Sequence, residues 1–241
     1  MSHSHSHSHF DEIAEAYDDS LPPHVVEHYL RKRSRFVLEH CPRGAGLDVG
    51  CGTGILAGRL AASGYEMAGV DPSEGMLEVM RRRTPGVRAV QGSGTALPFA
   101  DGSFDVVLCV AVMHHIARPD DVRRTLSEMV RVTKPSGRIL VWDHNPRNPY
   151  WKLLMARVPQ DTGEERLIPE GEMLRGLQGA GANVVASSRL GMVPDFTPRA
   201  LLRAAAAVER VAERVPLVDR FCAHNVILAA KPAGHRPPRP G

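Results

Sequence analysis

Apolar residues in the middle of the chain occur in short runs separated by longer segments of helical periodicity. The runs occupy residues 47–49, 67–70, 87–90, 104–112 and 139–142, and the segments with a 3.6-residue period cover about 53–62, 73–83 and 119–132. A strand followed by a helix, repeated in this order, is typical of a parallel sheet with helices on both faces. The pattern therefore predicts an α/β domain.

Further elements are predicted on both sides of this centre. Before it, residues 10–17 and a segment that begins at Pro22 and Pro23 have apolar residues at helical spacing. After it, the pattern predicts, in order, helices near 150–157 and 169–179, a strand near 183–188, a helix at about 197–214 and a strand at 221–230. No internal repeat is visible, so we expect a single domain over residues 10–231.

The two ends of the chain differ from this pattern. Residues 1–9 carry an alternation of Ser and His, which we interpret as a tag or a disordered leader. An extended tract would place its imidazoles on one side, so a Ni²⁺ or Zn²⁺ chelator is the alternative. Residues 232–241 lack the apolar side chains needed for packing, which predicts a disordered tail.

Composition narrows the functional classes. The 241 residues are 43% hydrophobic and 24% charged, which is typical of a globular protein. A net charge of +3 is too small to indicate a nucleic-acid partner, so a small-molecule substrate is expected. The four cysteines are widely spaced without a Cys-x-x-Cys pair, which argues against a disulfide scaffold and favours a reducing compartment. No apolar run approaches the roughly 18 residues that span a bilayer, and no signal peptide is visible, so we expect a cytoplasmic protein without stable membrane insertion.

A glycine-rich segment, Leu-Asp-Val-Gly-Cys-Gly-Thr-Gly, joins the first predicted strand to the following helix. Gly50, Gly52 and Gly54 permit a sharp turn and let a ligand approach main-chain N–H groups at a helix N-terminus. Asp71 ends the next strand, 17 residues past Gly54, where a carboxylate can accept both hydroxyls of a ribose. The spacing differs from the Gly-x-Gly-x-x-Gly of dinucleotide sites, and no Gly-Lys-Ser/Thr follows, which excludes a P-loop.

Three segments carry a resemblance to a known family. The sequences LDVGCGTG, GVDPSEGML and LPFADGSFDVVLC closely resemble the class I S-adenosylmethionine (SAM) dependent methyltransferases, most of all the branch with the ubiquinone/menaquinone C-methyltransferases and many small-molecule methyltransferases. The resemblance covers about residues 10–145 well and 146–231 loosely. It implies a Rossmann-like fold, with a seven-stranded, mostly parallel sheet and helices on both faces. Residues 10–40 would form a helical lid, 44–143 the cofactor-binding core and 144–231 the substrate-side elements.

The resemblance also implies a set of cofactor contacts, with S-adenosylhomocysteine as the product. The three glycines would line the methionine part of SAM, Asp48 would lie near its amino group, and Asp71 would hold the ribose hydroxyls. Ser93 stands where the family often has an acid for the adenine amino group. The remaining residues of the implied set are Tyr17, Cys51, Pro72, Ser73, Met76, Gly94, Thr95, Cys109 and Val110.

Candidate bases follow the fourth and fifth predicted strands, at the sheet edge where ligands lie in such folds. A neutral imidazole there can remove a proton from an acceptor. His144 is the leading candidate, with Asp143 as its orienting partner, and His114 is the second. The expected substrate-side residues are Tyr17, His24, His28, Arg31, His115 and Arg147. No metal site is expected.

The sequence leaves several functions open. We predict methyl transfer from SAM to a small-molecule acceptor, with a mild preference, because of the histidine bases, for a hydroxyl oxygen of a secondary metabolite, sugar or lipid precursor. C-methylation of a quinone-type ring is the alternative, although only 5% aromatic residues make a stacked aromatic cage less obvious. A SAM-binding regulator without turnover is a further class. The helix at about 197–214 mixes arginines with glutamates, which does not support membrane attachment. A monomer and a homodimer are both compatible with the sequence.

Overall fold

The computed structural model describes residues 9–154 and 165–234, except for the side chains of 152–154. The Ser–His tract up to residue 8, the end of the helix predicted near 150–157 and the tail from residue 235 lie outside the described residues.

Seven strands form one sheet in the order β3-β2-β1-β4-β5-β7-β6. All are parallel except β7, which runs antiparallel to both of its neighbours. The strands are β1 (Ala45–Val49), β2 (Glu66–Asp71), β3 (Arg88–Gln91), β4 (Phe104–Val110), β5 (Thr133–His144), β6 (Asn183–Leu190) and β7 (His224–Ala230). The predicted mostly parallel, seven-stranded sheet is confirmed.

Helices cover the sheet. They are α1 (Pro23–His40), α2 (Ile55–Ala61), α3 (Glu74–Arg83), α4 (Pro119–Val132), α5 (Pro149–Leu154), α6 (Glu170–Gly179) and α7 (Leu202–Ala212). The helix predicted at 197–214 is shorter, because a 3₁₀ turn at Arg199–Leu201 precedes α7. The strand predicted at 221–230 begins only at His224, because Asp219–Phe221 form another 3₁₀ turn.

Each face of the sheet has its own hydrophobic core. On one face, Val107 and Ile139 pack with Leu126 and Met129 of α4. On the other face, inward-pointing strand residues pack against α1, α2 and α3, with Trp142 fully buried among them. Since each strand alternates its side chains between two buried faces, its sequence is a continuous apolar run, and this is why the runs were visible in the sequence. No helix among the described residues is long and apolar enough to cross a membrane.

Residues 9–20 form a separate small unit over α3. Residues 9–13 are helical and Tyr17–Ser20 form a 3₁₀ turn, rather than one helix over 10–17. Ala14 is buried against Met76 and Val79 of α3. The N-terminal segment therefore lies beside the edge of the sheet at which β1 and β2 end.

Candidate active site

A cavity of about 460 Å³ opens at the carboxyl ends of β1, β4 and β5. Its floor is the glycine loop after β1, and its walls come from α1, the loop after β4, α5 and residues 192–195. Each of these segments follows the carboxyl end of a strand or crosses over one. Ligands of parallel sheets bind at this edge. The predicted residues Tyr17, Asp48, Gly50, Cys51, Gly52, Val110, His114, His115 and His144 all line the cavity.

The glycine loop adopts a conformation that side chains would strain. Gly50, Gly52 and Gly54 have φ values of +72°, +51° and +74°. A Cβ on Gly50 would lie 2.5 Å from a methyl carbon of Val112, whereas a Cβ on Gly52 would meet nothing within 4 Å. The loop therefore packs tightly against Val112 at Gly50, whereas the main chain at Gly52 is open toward the cavity.

Asp71 is held by main-chain N–H groups at the end of β2. Its Oδ2 accepts from Gly52 at 2.9 Å, and its Oδ1 accepts from Ser73 at 2.9 Å. These two main-chain donors fix the orientation of the carboxylate at the end of β2. The acid predicted to meet a ribose is thus connected directly to the glycine loop.

Asp48 lies on the cavity wall and is almost fully buried. Burial and the neighbouring charge of Asp71 raise the pKa of Asp48 to about 7, although Arg33 acts in the opposite direction. A group with this pKa exchanges its proton near neutral pH, so its charge responds to a cation placed beside it.

The N-terminal segment is hydrogen-bonded over this part of the site. Asp11 Oδ1 accepts from Ser73 Oγ at 2.6 Å and from the N–H of Gly75 at 2.9 Å. Asp18 Oδ1 accepts from Thr53 Oγ1 at 3.0 Å, and Asp18 Oδ2 pairs with Arg83. Residues 9–20 therefore cover the glycine loop and the start of α3.

The residues predicted around the adenine divide into two groups. Ser73 caps α3 by accepting from the N–H of Met76, and both side chains lie beneath the N-terminal segment. Ser93 and Thr95 form a small turn after β3, with their hydroxyl oxygens 2.8 Å apart, at the sheet edge that also carries Asp71. Cys109 packs within a hydrophobic core and does not line the cavity, because its side chain points to the other face of β4 from Val110.

His114 and Asp143 form a buried pair. His114 Nδ1 lies 2.7 Å from Asp143 Oδ1, and the backbone N–H of His114 donates to Oδ2 at 3.3 Å. Burial alone raises the pKa of Asp143, but the charge and hydrogen bond of His114, with the N–H of His144, outweigh burial and keep this pKa below its usual value. An ionised Asp143 favours a proton on His114 Nδ1 in both the charged and the neutral imidazole, so Nε2 is the nitrogen that exchanges a proton with a ligand.

This pairing differs from the expected one. Asp143 was predicted to orient His144, yet it contacts only the backbone N–H of His144, at 2.6 Å. Successive side chains of a strand point to opposite sides, so neighbours in sequence are poorly placed to bond each other's side chains. The orienting carboxylate belongs to His114 instead, which comes from the loop after β4.

Stacked rings form one side of the cavity. The imidazole of His144 lies between His114, at a centroid distance of 3.9 Å, and Trp151, at 3.6 Å. Burial and the neighbouring His114 and His224 lower the pKa of His144 well below its ordinary value. Its Nδ1 is buried without a hydrogen-bond partner among the described residues. His144 is therefore a neutral, stacked group rather than an oriented base.

His114, Asp143 and His144 also offer possible metal-ligand atoms within 4.8 Å of one another. A metal bound by two imidazoles must lie in both ring planes, about 2 Å from each nitrogen. The two histidine rings are tilted by only 26° at 3.9 Å, so their planes meet well beyond that distance. The stacking therefore argues against a metal shared by these two rings.

Arg33 is a site residue that the sequence reasoning missed. It lines the cavity, and its Nε is buried without a hydrogen-bond partner among the described residues. Burial lowers its pKa, and its guanidinium carbon lies 5.7 Å from the ring centroid of Tyr29. Arg33 follows Val26, Tyr29 and Leu30 by seven, four and three positions, so a charged residue on the apolar stripe of α1 was the available signal.

Several predicted substrate-side residues lie outside the cavity. Arg31 points to the opposite side of α1, is largely exposed and pairs with Glu27. His24 Nε2 lies 2.7 Å from the carbonyl oxygen of Thr197, and His28 Nε2 lies 3.0 Å from Glu209. Arg147 is exposed and does not line the cavity. On α1, the helical period places Arg31, His24 and His28 on other sides of the helix from Arg33, where they face solvent or connect α1 to the rest of the fold.

Comparisons place the chain among known proteins. A family described as a methyltransferase domain matches residues 47–141. A demethylmenaquinone methyltransferase of Renibacterium salmoninarum is 34% identical over 164 residues, which are 62% of this chain and 68% of that protein. Another, from Paenarthrobacter aurescens, is 36% identical over 164 residues, which are 62% of this chain and 64% of that protein. The chain thus spans about two thirds of the length of these curated relatives.

Solved structures share the fold. A SAM-dependent methyltransferase of Thermotoga maritima, described as a possible histamine N-methyltransferase, has a TM-score of 0.70 at 23% identity, covering 94% of this chain and 99% of that one. The magnesium protoporphyrin IX methyltransferase of Synechocystis, solved with bound S-adenosylhomocysteine, has a TM-score of 0.59 at 15% identity, covering 85% of this chain and 82% of that one. Sequence and fold together show that this chain belongs to the class I SAM-dependent methyltransferases of the menaquinone type, and that SAM is its cofactor.

Proposed function

We propose that the glycine loop, Asp71, Asp48 and Arg33 hold SAM, and that residues 10–231 form the single catalytic domain. The open main chain at Gly52 leaves room for the methionine part, and the position of the Asp71 carboxylate at the end of β2, beside the glycine loop, suits the ribose hydroxyls. Asp48 meets the amino group, and Arg33, whose Nε is unpartnered among the described residues, neutralises the carboxylate. Ser93 and its turn remain the proposed neighbours of the adenine.

We infer that the acceptor is a hydroxylated aromatic ring. The cavity wall contains the stacked rings of His144 and Trp151, with Tyr29 and Tyr150 nearby, and planar rings pack well against such faces. The low aromatic content had made a stacked site less obvious, but the fold gathers aromatic residues from distant segments at one cavity. The names of the relatives support a quinol ring in particular.

The pair of His114 and Asp143 carries the chemical proposal. His114 Nε2 takes the proton of the acceptor hydroxyl, and Asp143 stabilises the resulting imidazolium through Nδ1. The deprotonated hydroxyl makes the ring electron-rich, and bound SAM supplies the electrophilic methyl group. The aromatic wall fixes the ring so that one atom faces that methyl group in line, which lowers the entropic part of the barrier.

Two positions on such an acceptor can take the methyl group. A ring carbon beside the ionised hydroxyl is our first choice, because the relatives are named for methylation of demethylmenaquinone. The hydroxyl oxygen is the second, favoured by the short distance between His114 and its orienting carboxylate. In the first case the methylated carbon releases its proton to solvent and the ring oxygen takes back the proton held by His114, which restores the aromatic hydroxyl. In the second case the ring carbons keep all their protons and His114 releases the hydroxyl proton to solvent.

The function is tested with methyl-labelled SAM and a reduced naphthoquinone that lacks the ring methyl group. His114→Gln should lower kcat about 10²- to 10⁴-fold, the usual contribution of a general base, with SAM affinity within about twofold of wild type. Asp143→Asn should lower kcat in the same direction and shift its pH profile, because the imidazolium loses its counter-charge. His40→Gln, on the exposed end of α1, is the matched control.

Two outcomes would contradict the proposal. An unchanged kcat in His114→Gln would exclude His114 as the general base. Undetectable transfer to every hydroxyaromatic acceptor tested would exclude this class of acceptor. NMR of the product distinguishes the two positions, because loss of a ring proton signal indicates C-methylation and its retention indicates O-methylation.

A further inference from the structure

Exposed apolar side chains are concentrated on one surface of the molecule. Of the ten large hydrophobic residues that are exposed in the described part of the chain, eight lie between residues 196 and 221. We call this segment the 196–221 surface. Its apolar members include Leu201, Val208, Val211, Val215, Leu217 and Phe221, with exposed fractions of 39–64%. An exposed apolar patch of this kind marks a surface that binds an apolar partner, either another protein surface or a membrane.

The apolar residues of α7 lie on a face distinct from the one that packs on the protein. Leu202 and Ala205 pack on Tyr29 and Val193, and Ala212 is buried. Leu201, Val208 and Val211 recur at helical spacing on a second face that points outward. The outward face is therefore not part of the core.

Charges on the same segment are sorted by sign. Glu209 and Glu213 turn inward and both pair with Lys32 of α1, and Asp219 pairs with Arg189. Five arginines, Arg199, Arg203, Arg210, Arg214 and Arg220, are exposed and have no carboxylate partner among the residues the structure describes. The arginines and glutamates that alternate in the sequence are thus separated in space, leaving a surface that is both apolar and positively charged.

This surface borders the mouth of the catalytic cavity. Phe221 lines the cavity and is half-exposed, and the ring of Phe196 lies 6.3 Å from that of Tyr150, another lining residue. Arg214 and Arg220 line a shallow groove of about 310 Å³ beside Leu217. Glu213 and Asp219 also line this groove but are paired with Lys32 and Arg189, so Arg214 and Arg220 are the charges left for an anionic headgroup. An apolar partner bound to the 196–221 surface would therefore lie next to the entrance of the catalytic cavity.

We propose that the 196–221 surface docks on an anionic lipid bilayer, with its apolar side chains at the acyl boundary and its arginines among the headgroups. Interfacial segments combine these features: an apolar face, flanking basic residues and no membrane-spanning length. A second copy of this chain would fit less well, because a two-fold contact would bring unpaired arginines together. A nucleic acid would meet the arginines but leave the valines and leucines without an apolar partner.

The docking proposal goes beyond methyl transfer and is tested without an acceptor. The full chain is sedimented at 0.1 M salt with vesicles of phosphatidylcholine alone and with vesicles that contain 30% phosphatidylglycerol. We expect at least tenfold stronger binding to the anionic vesicles, with most of it lost at 0.5 M salt, since each arginine near the surface adds an electrostatic attraction that salt screens.

Two double variants separate the apolar contribution to vesicle binding from the electrostatic one. Val208→Ser with Val211→Ser should weaken vesicle binding at least fivefold, and Arg210→Ser with Arg214→Ser should remove the preference for anionic lipid. Val185→Ser and Arg124→Ser, an exposed valine and an exposed arginine outside the surface, are the matched controls and should bind like wild type. All variants should retain wild-type SAM affinity, because none of these residues lines the cavity.

Four results would overturn the proposal. The first is an absence of binding to anionic vesicles at 0.1 M salt. The second is unchanged binding in the double valine variant. The third is a dimer by analytical ultracentrifugation that the valine changes dissociate, without vesicle binding, which would assign the surface to a second copy. RNA binding that depends on the arginines alone would equally contradict it. SAM affinity and methyl transfer are measured separately, so failure of docking leaves the proposed function standing.

Discussion

Single residues in the cavity have properties that depend on their burial more than on their type. Arg31 and Arg33 are two positions apart, yet Arg31 is an exposed partner of Glu27 and Arg33 is a cavity cation whose Nε is buried. His114 and His144 are both imidazoles on the cavity wall, but only His114 has an orienting carboxylate. For single residues, burial and hydrogen-bond partners therefore decide which of two chemically similar side chains can take part in binding or proton transfer.

Asp48 yields a prediction of proton release. With a pKa of about 7 it is about half-protonated at pH 7, and the ammonium and sulfonium charges of SAM favour its ionised form. Calorimetry of SAM binding in two buffers of different ionisation enthalpy should show about half a proton released per SAM at pH 7. Asp48→Asn should abolish the release. Equal release by wild type and variant would show that Asp48 does not meet the cofactor.

Among the elements, α1 and α7 are joined by one buried carboxylate. Glu209 accepts from Lys32 Nζ at 2.6 Å and from the N–H groups of Met192 and Val193, and it lies 3.0 Å from His28 Nε2. Burial raises the pKa of Glu209, but His28 and Lys32 outweigh it and lower this pKa to about 2. The carboxylate thus stays charged and holds α7 to α1, the helix that lines the cavity.

Glu209→Gln removes this charge while keeping the shape of the side chain. We expect a loss of about 2–3 kcal/mol in the free energy of unfolding, because Lys32 and two main-chain donors lose a charged acceptor in a buried setting. Glu39→Gln, whose partner Arg35 is exposed, should cost less than about 1 kcal/mol. Urea denaturation of both variants measures the difference. Similar values for the two would show that the buried network adds little.

For the whole molecule, buried neutral histidines link stability to pH. Burial and Arg33 lower the pKa of His224 to about 3, and the pKa of His144 is lowered as well. The unfolded chain therefore takes up protons below about pH 6.5 that the folded chain excludes, and each such group costs about 1.4 kcal/mol per pH unit as pH falls. Asp48, with its raised pKa, acts in the opposite direction between about pH 7 and 4.

The contribution of one histidine can be isolated by difference. Between pH 7.5 and 5.5, wild type should lose about 1 kcal/mol more stability than His224→Gln, which has no group to protonate at that position. His40→Gln should follow wild type, because His40 is exposed. Denaturant unfolding at the two pH values provides the measurement. Parallel losses in wild type and His224→Gln would contradict a depressed pKa for His224.

The sequence by itself determined the order of strands and helices, the glycine loop and the acid at the end of β2. These features are local, because strand and helix periodicity and turn geometry depend on neighbouring residues. The same pattern predicted a parallel sheet, whereas its seven strands, its Rossmann-like fold and the SAM cofactor came from the resemblance that these motifs carry, and these predictions are confirmed.

Only the tertiary structure decided which side chains meet. Asp143 pairs with a histidine 29 positions away instead of its neighbour, and His28 reaches Glu209 across 181 positions. The glutamates of α7 face the protein and its arginines face outward. This arrangement also depends on which elements pack against the helix. Contacts of this kind arise from the meeting of distant elements, and periodicity along one segment contains no information about its partner.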